Sequence, residues 1–125
     1  MTTALRASEI GDLETLKGLS QIKESLTDDS GACCLHYASR GGNIDVIEYL
    51  VKTQSFSALN RSKTGASALH DAAATGNTAV LKWMLENTDI KVNDQDGSGV
   101  TPIHLAARYG HFSTVEVCIF STKYM

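Results

Sequence analysis

The sequence predicts an all-α fold in which short helix–turn–helix units stack into a solenoid and are joined by projecting β-turn fingers. Three observations predict this fold. A 13-residue pattern recurs along the 125-residue chain at a spacing of 34 residues, and each copy is followed by an amphipathic segment. Aromatic residues make up only 6% of the chain, while alanines cluster inside the repeated pattern. That composition favours closely packed helices over a β-sandwich.

The repeated pattern is clearest when three copies are aligned. They read GACCLHYASRGGN at 31–43, GASALHDAAATGN at 65–77 and GVTPIHLAARYGH at 99–111. A degenerate copy near the N-terminus carries Leu5 in the histidine position. We therefore predict one domain over 1–125, built from four repeats of which the first is degenerate and the last truncated. The four repeats lie at about 2–27, 28–61, 62–95 and 96–125.

The first helix of each repeat has recognisable ends. Thr101 and Ser67 are predicted N-caps, and Pro102 fits the first helical position because a missing N–H costs little there. Cys33 stands in the cap position of the second repeat, so we expect a looser helix start there. Glycines such as Gly76 end these helices, since glycine adopts the left-handed conformation without a steric penalty.

The second helix of each repeat follows the glycine turn. Apolar residues recur there at i, i+3 and i+4, which indicates a helix with one buried stripe. In the third repeat these residues are Val80, Leu81, Met84 and Leu85. One such helix pair cannot bury its apolar faces alone, so stacking of the repeats supplies the core.

Three histidines, His36, His70 and His104, occupy the same position of successive repeats. Each then belongs to a separate tier of the stack, about 10 Å from the next if the tiers are spaced like other packed layers. Zinc ligands must all lie about 2 Å from one ion, so this spacing disfavours a metal site. We interpret the three as structural groups that hydrogen-bond nearby backbone or hydroxyl groups. His111 is expected to be a partly exposed turn residue.

No set of residues suggests catalysis, a cofactor or a metal site. The stretch DQDGSG at 94–99 resembles the start of a calcium loop, but its twelfth position is Leu105, where a bidentate glutamate is required. It is better interpreted as an inter-repeat β-turn. Phosphate-loop and nucleophile-elbow motifs are absent from the sequence. We predict a non-enzymatic protein without catalytic residues, cofactors or metals.

Net charge and cysteine content indicate which classes of partner and which cellular compartment to expect. The formal net charge is −3, so the chain as a whole has no attraction for nucleic acid or an anionic membrane. No apolar run approaches the roughly 20 residues of a membrane span. Cys33, Cys34 and Cys118 form no paired framework, which is typical of a reducing environment. We expect a cytoplasmic protein whose partner is another protein.

The repeats resemble the ankyrin family, whose signature combines a TPLH-like core with a spacing near 33 residues. The likeness covers about residues 3–120 and is strongest in TPIHLAARYGH at 101–111. A narrower likeness runs over 70–111. There HDAAATG, a tryptophan-containing outer helix, DQDGSG and HLAARYGH occur in the same order as in the N-terminal ankyrin arrays of the espin family.

The espin resemblance implies a cytoskeleton-associated adaptor that binds the tail of a class III myosin. The alternative is a signalling or transcription-regulatory ankyrin adaptor unrelated to the cytoskeleton, because a fold does not fix a pathway. In both cases the chain acts as a protein-binding scaffold.

The ankyrin resemblance also implies where a partner binds. Ankyrin arrays present a concave groove formed by the first helices and the β-turn fingers. The residues one, four and five positions after each motif histidine are expected to face it, and tyrosine and arginine are frequent in binding hot spots. An extended or helical segment of the partner is thus expected to contact Tyr37, Arg40, Asp71, Arg108 and Tyr109. For any one of these residues, a solvated helix surface is the alternative.

A further implication of the ankyrin resemblance is covalent modification. Asn60 and Asn93 stand near the ends of inter-repeat loops, at a position that resembles asparagine-hydroxylation sites in that family. Leu85 lies eight residues before Asn93, which favours the second site. Asn93 is therefore a candidate for hydroxylation.

The C-terminal segment VEVCIFSTKYM at 115–125 is predicted to continue the outer helix of the last repeat. Repeat arrays need a terminal unit with a polar outer face to stay soluble, and this segment is largely apolar. The sequence therefore predicts either that the chain is part of a longer array or that its exposed end pairs with another molecule.

Overall fold

The computed structural model describes residues 2–121, and residue 1 and residues 122–125 of the predicted domain lie outside that range. Within it the chain forms pairs of helices, one inner and one outer helix in each repeat. In chain order they are α1 (Thr3–Ile10), α2 (Leu13–Gly18), α3 (Cys34–Gly41), α4 (Ile44–Glu48), α5 (Ala68–Thr75), α6 (Thr78–Asn87), α7 (Pro102–Arg108) and α8 (Phe112–Phe120). A π-helical turn over Tyr49–Thr53 extends α4.

The helices stack in two layers. The inner helices α1, α3, α5 and α7 contact one another in that order, and α4, α6 and α8 form the same succession in the outer layer. Within the described residues no β-strand is formed, and the only pairing of that kind is an isolated bridge between Thr27 and Cys33. The predicted all-α solenoid is thereby confirmed.

The hydrophobic core lies between the inner and outer layers. Leu35 and Leu69 of the inner helices and Ile47 and Leu81 of the outer helices are completely buried. Burying one such side chain contributes about 1.5–3 kcal/mol. Equivalent positions of successive repeats join one continuous cluster, so each repeat is stabilised by the apolar face of its neighbour.

The inner helices begin with one repeated contact. In α5, the Ser67 hydroxyl accepts the N–H of His70, and Nδ1 of His70 accepts the N–H of Ser67 at 3.2 Å. Helix α3 begins at the equivalent residue, where the Cys33 N–H donates to Nδ1 of His36, also at 3.2 Å. The expectation of a looser start at Cys33 stays a prediction. Sulfur replaces the hydroxyl, but the histidine still closes the turn.

The β-turn fingers are joined to one another by backbone hydrogen bonds. The N–H of Lys63 donates to the carbonyl of Ser30 in the preceding finger at 2.8 Å, and the same bond recurs one repeat later. Within the last finger, the Asp96 carboxylate accepts the N–H groups of Ser98 and Val100 at 2.8 and 2.9 Å. The stretch 94–99 thus forms the predicted inter-repeat turn, with its aspartate used to hold the turn together.

Candidate interaction surface

The side of the stack formed by the inner helices and the fingers is the candidate interaction surface, called the inner surface below. It carries the five residues that the repeat pattern predicts for partner binding. The structure brings three of them into contact across α3 and α5, namely Tyr37, Arg40 and Asp71. The other two, Arg108 and Tyr109, lie at the end of α7, one repeat further along.

Tyr37 is more buried than an exposed aromatic anchor would be. Only 7% of its surface is exposed, and its hydroxyl donates to Oδ2 of Asp28 at 2.6 Å. Hydrogen bonds from Tyr37 and Ser30 hold the pKa of Asp28 well below its usual range, and the bond to Asp28 raises the pKa of Tyr37. Tyr37 therefore ties α3 to the preceding finger and leaves only an edge of its ring for a partner.

Arg40 lies between Tyr37 and Asp71. Its Nε donates to Oδ2 of Asp71 at 3.1 Å, and its guanidinium carbon lies 5.0 Å from the centre of the Tyr37 ring, within the range of cation–π attraction. Burial raises the pKa of Asp71, although Arg40 acts in the opposite direction. The side chain of Arg40 is 34% exposed and that of Asp71 16%. The three residues thus form a preassembled cluster from which mainly Arg40 reaches solvent.

Arg108 and Tyr109 are separate from that cluster. Both residues are exposed, Tyr109 to 56%. Within residues 2–121, no hydrogen bond or ion pair joins either side chain to the cluster. They are available to a partner without any rearrangement of the fold.

The structure also contains a cleft beside Tyr37 that the repeat pattern did not predict. Its volume is about 570 Å³, and it opens between the start of α1, the first finger and α3. It is lined by Thr2, Leu5, Thr27, Asp28, Asp29 and Tyr37. The D-x-S-G letters shared by 28–31 and 96–99 mark a turn aspartate in both fingers. The hydrogen bond from Tyr37 to Asp28 borders the cleft and occurs only at the first of these two fingers. The shared letters do not predict it.

Two of the motif histidines, His36 and His70, connect neighbouring repeats. Nε2 of His36 donates to the carbonyl of Ala66 at 2.9 Å, and Nε2 of His70 donates to the carbonyl of Val100 at 2.8 Å. Because a carbonyl only accepts, Nε2 carries the proton in each ring and the neutral Nδ1 accepts from the helix start. The predicted structural role is confirmed. Each ring also reaches the following repeat, which the sequence did not reveal.

A second set of inter-repeat bonds comes from the residue after the helix-ending glycine. Nδ2 of Asn77 donates to the carbonyls of Ser39 and Arg40 in the preceding repeat, at 2.8 and 3.1 Å. Nε2 of His111 donates in the same way to the carbonyl of Ala74 at 3.0 Å. His111 is partly exposed, as predicted, but it also fastens the last repeat to the third.

Ser67, His70 and Asp94 lie close together, but their geometry is not that of a catalytic relay. Oγ of Ser67 is 2.9 Å from Nδ1 of His70, and Oδ2 of Asp94 is 3.9 Å from the same nitrogen. A relay needs the nucleophile and the carboxylate on opposite ring nitrogens, whereas Nε2 is bound to the Val100 carbonyl. Arg61 holds the other oxygen of Asp94 at 2.6 Å, so the group stabilises a junction.

The cysteine side chains of the described residues are buried in the stack. Cys33, Cys34 and Cys118 are free thiols and are buried, and burial raises the pKa of Cys34 and Cys118. Over residues 2–121, no three His, Cys, Asp or Glu side chains are grouped so as to hold a metal ion. In the same range no helix combines the length and apolarity that crossing a membrane requires.

Asn93 is exposed beside an apolar cleft at the junction of the last two repeats. The cleft has a volume of about 330 Å³ and is lined by Val92, Asn93, Thr101, Ile103, Cys118 and Ile119. Leu85, in contrast, is only 3% exposed. The amide of Asn93 is therefore accessible in the folded array, while Leu85 is not.

Tiers of paired helices, histidines that bridge successive repeats and fingers joined by backbone bonds define a stacked-repeat scaffold. Residues 4–96 match a family model described as ankyrin repeats (3 copies), and residues 84–124 match one described as ankyrin repeats (many copies). The chain belongs to the ankyrin repeat family. Domains of this family are typically non-enzymatic modules that bind other proteins.

Part of the chain is also similar to the espin-like protein of Mus musculus. The identity is 43% over 52 residues, which covers 39% of this chain and 5% of that protein. The match confirms the narrower espin resemblance seen in the sequence. The chain corresponds to a small fraction of the length of this relative.

Proposed function

We propose that the inner surface binds an extended or helical segment of another protein, with Arg40 and Arg108 as its charged anchors. Tyr109 and the edge of Tyr37 add aromatic contacts, and Asp71 holds Arg40 in position. The proposal rests mainly on the contacts and the exposure of Arg40. Asp71 and Tyr37 fix its guanidinium in place while 34% of the side chain stays open to solvent.

A fixed arginine favours binding because little side-chain freedom remains to be lost. Immobilising a flexible side chain at an interface costs about 0.5–1.5 kcal/mol. The contacts with Asp71 and Tyr37 already restrict Arg40 in the free protein, so less conformational entropy is lost when a partner binds. Toward the start of α3, the cleft is lined by the acidic residues Asp28 and Asp29. A partner segment with acidic groups opposite Arg40 and Arg108, and a basic residue at the cleft, complements these charges.

The first test of the surface uses the exposed pair at the end of α7. An Arg108→Glu/Tyr109→Ala double variant is expected to weaken partner binding at least about tenfold, equivalent to about 1.4 kcal/mol, in isothermal titration calorimetry. Lys82→Glu is the matched control, since Lys82 is exposed on the outer helix α6 and undergoes the same change of charge. Full affinity in the double variant would contradict the proposal.

The second test removes the Arg40 anchor without leaving a buried charge. In the pair Arg40→Gln/Asp71→Asn both ions are replaced by neutral amides, the asparagine matching the aspartate in size and the glutamine being shorter than the arginine. The array should therefore remain folded by circular dichroism. We expect this pair to lose affinity as the α7 variant does. If both paired variants bind as well as the unmodified chain, the partner does not use the inner surface.

For the identity of the partner, we propose the tail of a class III myosin, which would make the chain a cytoplasmic, cytoskeleton-associated adaptor arm. The similarity to the mouse espin-like protein supports this choice. A purified class III myosin tail fragment is the probe, and its binding should be lost in the Arg108→Glu/Tyr109→Ala variant. Absence of binding would favour the alternative, a signalling or transcription-regulatory adaptor.

We also propose Asn93 as a site of asparagine hydroxylation, because its amide is exposed in the folded array. Incubation with an asparaginyl hydroxylase should add one oxygen to the peptide containing Asn93, as measured by mass spectrometry. Asn60 is the internal control, since its amide donates to the carboxylate of Glu24. A peptide containing Asn93 that gains no oxygen would overturn this assignment.

A further inference from the structure

The last finger carries an aspartate directly before a glycine, at Asp96 and Gly97. Both residues have a structural role there. The Asp96 carboxylate holds the turn together by accepting two backbone N–H groups. A Cβ built on Gly97 would lie 2.7 Å from the carbonyl oxygen of Thr64 in the preceding finger, closer than a Cβ approaches a backbone atom. The packing of the two fingers therefore favours this pair of residues at this place.

The same pair is chemically reactive when it is free. The backbone nitrogen of Gly97 can attack the side-chain carboxyl carbon of Asp96, and a water molecule leaves as the new C–N bond closes a five-membered succinimide. Hydrolysis at the α-carbonyl then breaks the original peptide bond and leaves isoaspartate, in which the main chain runs through the former side chain. One water is released and one is consumed, so the product is an isomer. Glycine favours this reaction because no Cβ hinders the approach of its nitrogen.

Both reacting groups are engaged in the folded array. The N–H of Gly97 donates to the carbonyl of Thr64 at 2.8 Å. The bond that Asp96 accepts from Val100, with a smaller effect from Ser98, keeps the pKa of Asp96 below its usual value. An ionised carboxylate resists this attack, since water leaves only from the protonated group. Gly97 itself is exposed, so water reaches the pair once these bonds break. The reaction therefore requires the finger to detach and its turn to open.

The first finger provides a matched comparison within the same chain. Asp28 holds that turn in the same way, because its carboxylate accepts the N–H groups of Ser30 and Ala32 at 2.9 and 3.0 Å. The next residue is Asp29, however, and its side chain hinders attack by its own backbone nitrogen. In the second finger a serine takes the place of the aspartate. The chemistry thus singles out the last finger.

Isomerisation would also prevent the finger from returning to its place. Isoaspartate lengthens the main chain by one atom, and its free carboxylate is the former main-chain carbonyl group of Asp96. In the native turn that carbonyl accepts the N–H of Gly99 at 3.1 Å. The former side chain, which bound Ser98 and Val100, becomes part of the peptide link. The bonds that close the turn cannot all form again.

We propose that Asp96 and Gly97 form a conditional modification site, which isomerises to isoaspartate when the last finger detaches and then keeps that finger detached. The product carries a free α-carboxylate. This makes it a substrate for the class of enzymes that transfer a methyl group from S-adenosylmethionine to isoaspartate. The proposal is independent of the partner proposed for the inner surface.

The first experiment ages the full chain, folded in buffer and unfolded in urea, at equal pH and temperature. Isoaspartate is located by mass spectrometry of the digested chain, with methyl transfer from S-adenosylmethionine as a second readout. We expect the reaction at Asp96 to be at least about tenfold faster in urea, because the folded chain reacts only through its open fraction. In urea, Asp28 should react more slowly than Asp96. Equal rates in the two samples, or at the two aspartates in urea, would overturn the proposal.

His70→Ala tests whether the finger must open. His70 binds the carbonyl of Val100 at the base of this finger, so its loss should speed isomerisation of the folded chain at least about fivefold. The rate in urea should not change, and a variant that does not fold should react at the urea rate. Lys82→Glu, on the outer helix α6, is the matched control and should alter neither rate. An unchanged rate in folded His70→Ala would contradict detachment as the controlling step.

The last experiment examines the product. The aged chain is returned to buffer, and the isomerised form is separated by chromatography. Amide hydrogen exchange at Gly97 should be at least about tenfold faster in this form than in the unmodified chain, since the bond to Thr64 is not restored. Gly97→Ala, aged in urea in the same way, should form less isoaspartate than the unmodified chain. Equal exchange in the two forms, or equal isoaspartate in the variant, would overturn the proposal.

Discussion

Nε2 of His70 lies 2.8 Å from the carbonyl oxygen of Val100, in the following repeat. Nδ1 of the same ring accepts the N–H of Ser67, so one side chain closes its own helix and fastens the next tier. His36 repeats both bonds, and each ring is only 1% exposed. Both ring nitrogens of these histidines are therefore hydrogen-bonded, one within the repeat and one to the next repeat.

The junction role predicts unequal costs for the motif histidines. His70→Ala should lower the free energy of unfolding by about 3 kcal/mol, because the Val100 carbonyl loses its donor and a cavity opens. His104→Ala should cost less than about 1 kcal/mol, since the exposed ring caps only its own helix. Urea unfolding followed by circular dichroism measures both. Equal losses would show that the bond to the next repeat contributes nothing to stability.

The helix start at Cys33 predicts a stabilising substitution. Cys33→Ser should raise the free energy of unfolding by about 0.5–1 kcal/mol, because a hydroxyl is a stronger cap than a thiol. The hydroxyl fits this place, since Oγ of Ser67 lies 2.9 Å from Nδ1 of His70 in the next repeat. Cys34→Ser is the contrast: it buries a hydroxyl at a fully enclosed position and should cost about 1–3 kcal/mol. A loss of stability in both variants would refute the capping argument.

The raised pKa of Asp71 predicts that the stability difference between Asp71→Asn and the unmodified chain depends on pH. Burial raises its pKa, so its favourable contribution is complete below the unfolded pKa and is lost as the pH rises through the folded one. The stability of Asp71→Asn relative to the unmodified chain should therefore increase as the pH rises above about 4. Thermal unfolding at a series of pH values measures this trend.

The control for the Asp71→Asn experiment is a substitution of Arg40, the ion-pair partner of Asp71. Arg40→Ala leaves a carboxylate without its cation and should destabilise the array at neutral pH, by about 1–3 kcal/mol for so partly exposed a pair. A difference between Asp71→Asn and the unmodified chain that stays constant with pH would contradict the raised pKa.

Tyr37 and Asp28 predict the opposite pH dependence. The hydrogen bonds of Asp28 depress its pKa, so it contributes stability that is present above the unfolded value of about 3.9 and is lost as the pH falls. Tyr37→Phe removes the hydrogen bond that contributes most to lowering the pKa of Asp28. It should lower stability at pH 7 by about 0.5–1.5 kcal/mol and make the acid-side loss less steep.

Tyr49→Phe is the matched control for Tyr37→Phe. The Tyr49 hydroxyl accepts from Nε2 of Gln54 at 3.0 Å and contacts no carboxylate among the described hydrogen bonds. Its removal should leave the acid-side slope unchanged. Identical slopes in both tyrosine variants would show that the bond to Asp28 has no part in the acid response.

The fold could be predicted from the sequence because its determinants are local. Gly76 adopts a positive φ to end α5 and Ser67 presents a hydroxyl to start it. The glycine recurs at a fixed spacing in the other repeats, and the hydroxyl recurs at Thr101. The partner of His70 could not be predicted in the same way. It is a backbone carbonyl 30 residues further along the chain, and every residue has a carbonyl, so no letter of the sequence marks it.

The sequence predicted which residues form the inner surface, but it did not predict which of them are exposed to solvent. Tyr37, Arg40 and Asp71 lie together, as residues one and four places after the motif histidines should. Tyr37 is buried against the first finger, where its hydroxyl donates to Asp28, and this contact between a helix and a finger nine residues earlier is not marked in the repeat pattern. Arg108 and Tyr109 have no such neighbour and remain exposed.

The absence of a histidine at Leu5 has a mechanical consequence. If the array is pulled from its two ends, the same tension passes through every junction in turn, and the least resistant one yields first. The junction between the first two repeats keeps the bonds from Nδ2 of Asn43 to the carbonyls of Ser8 and Glu9, but Leu5 offers no ring nitrogen to the second repeat. The first junction thus has one kind of side-chain hydrogen bond where the two that follow have two, and we expect it to open first under load.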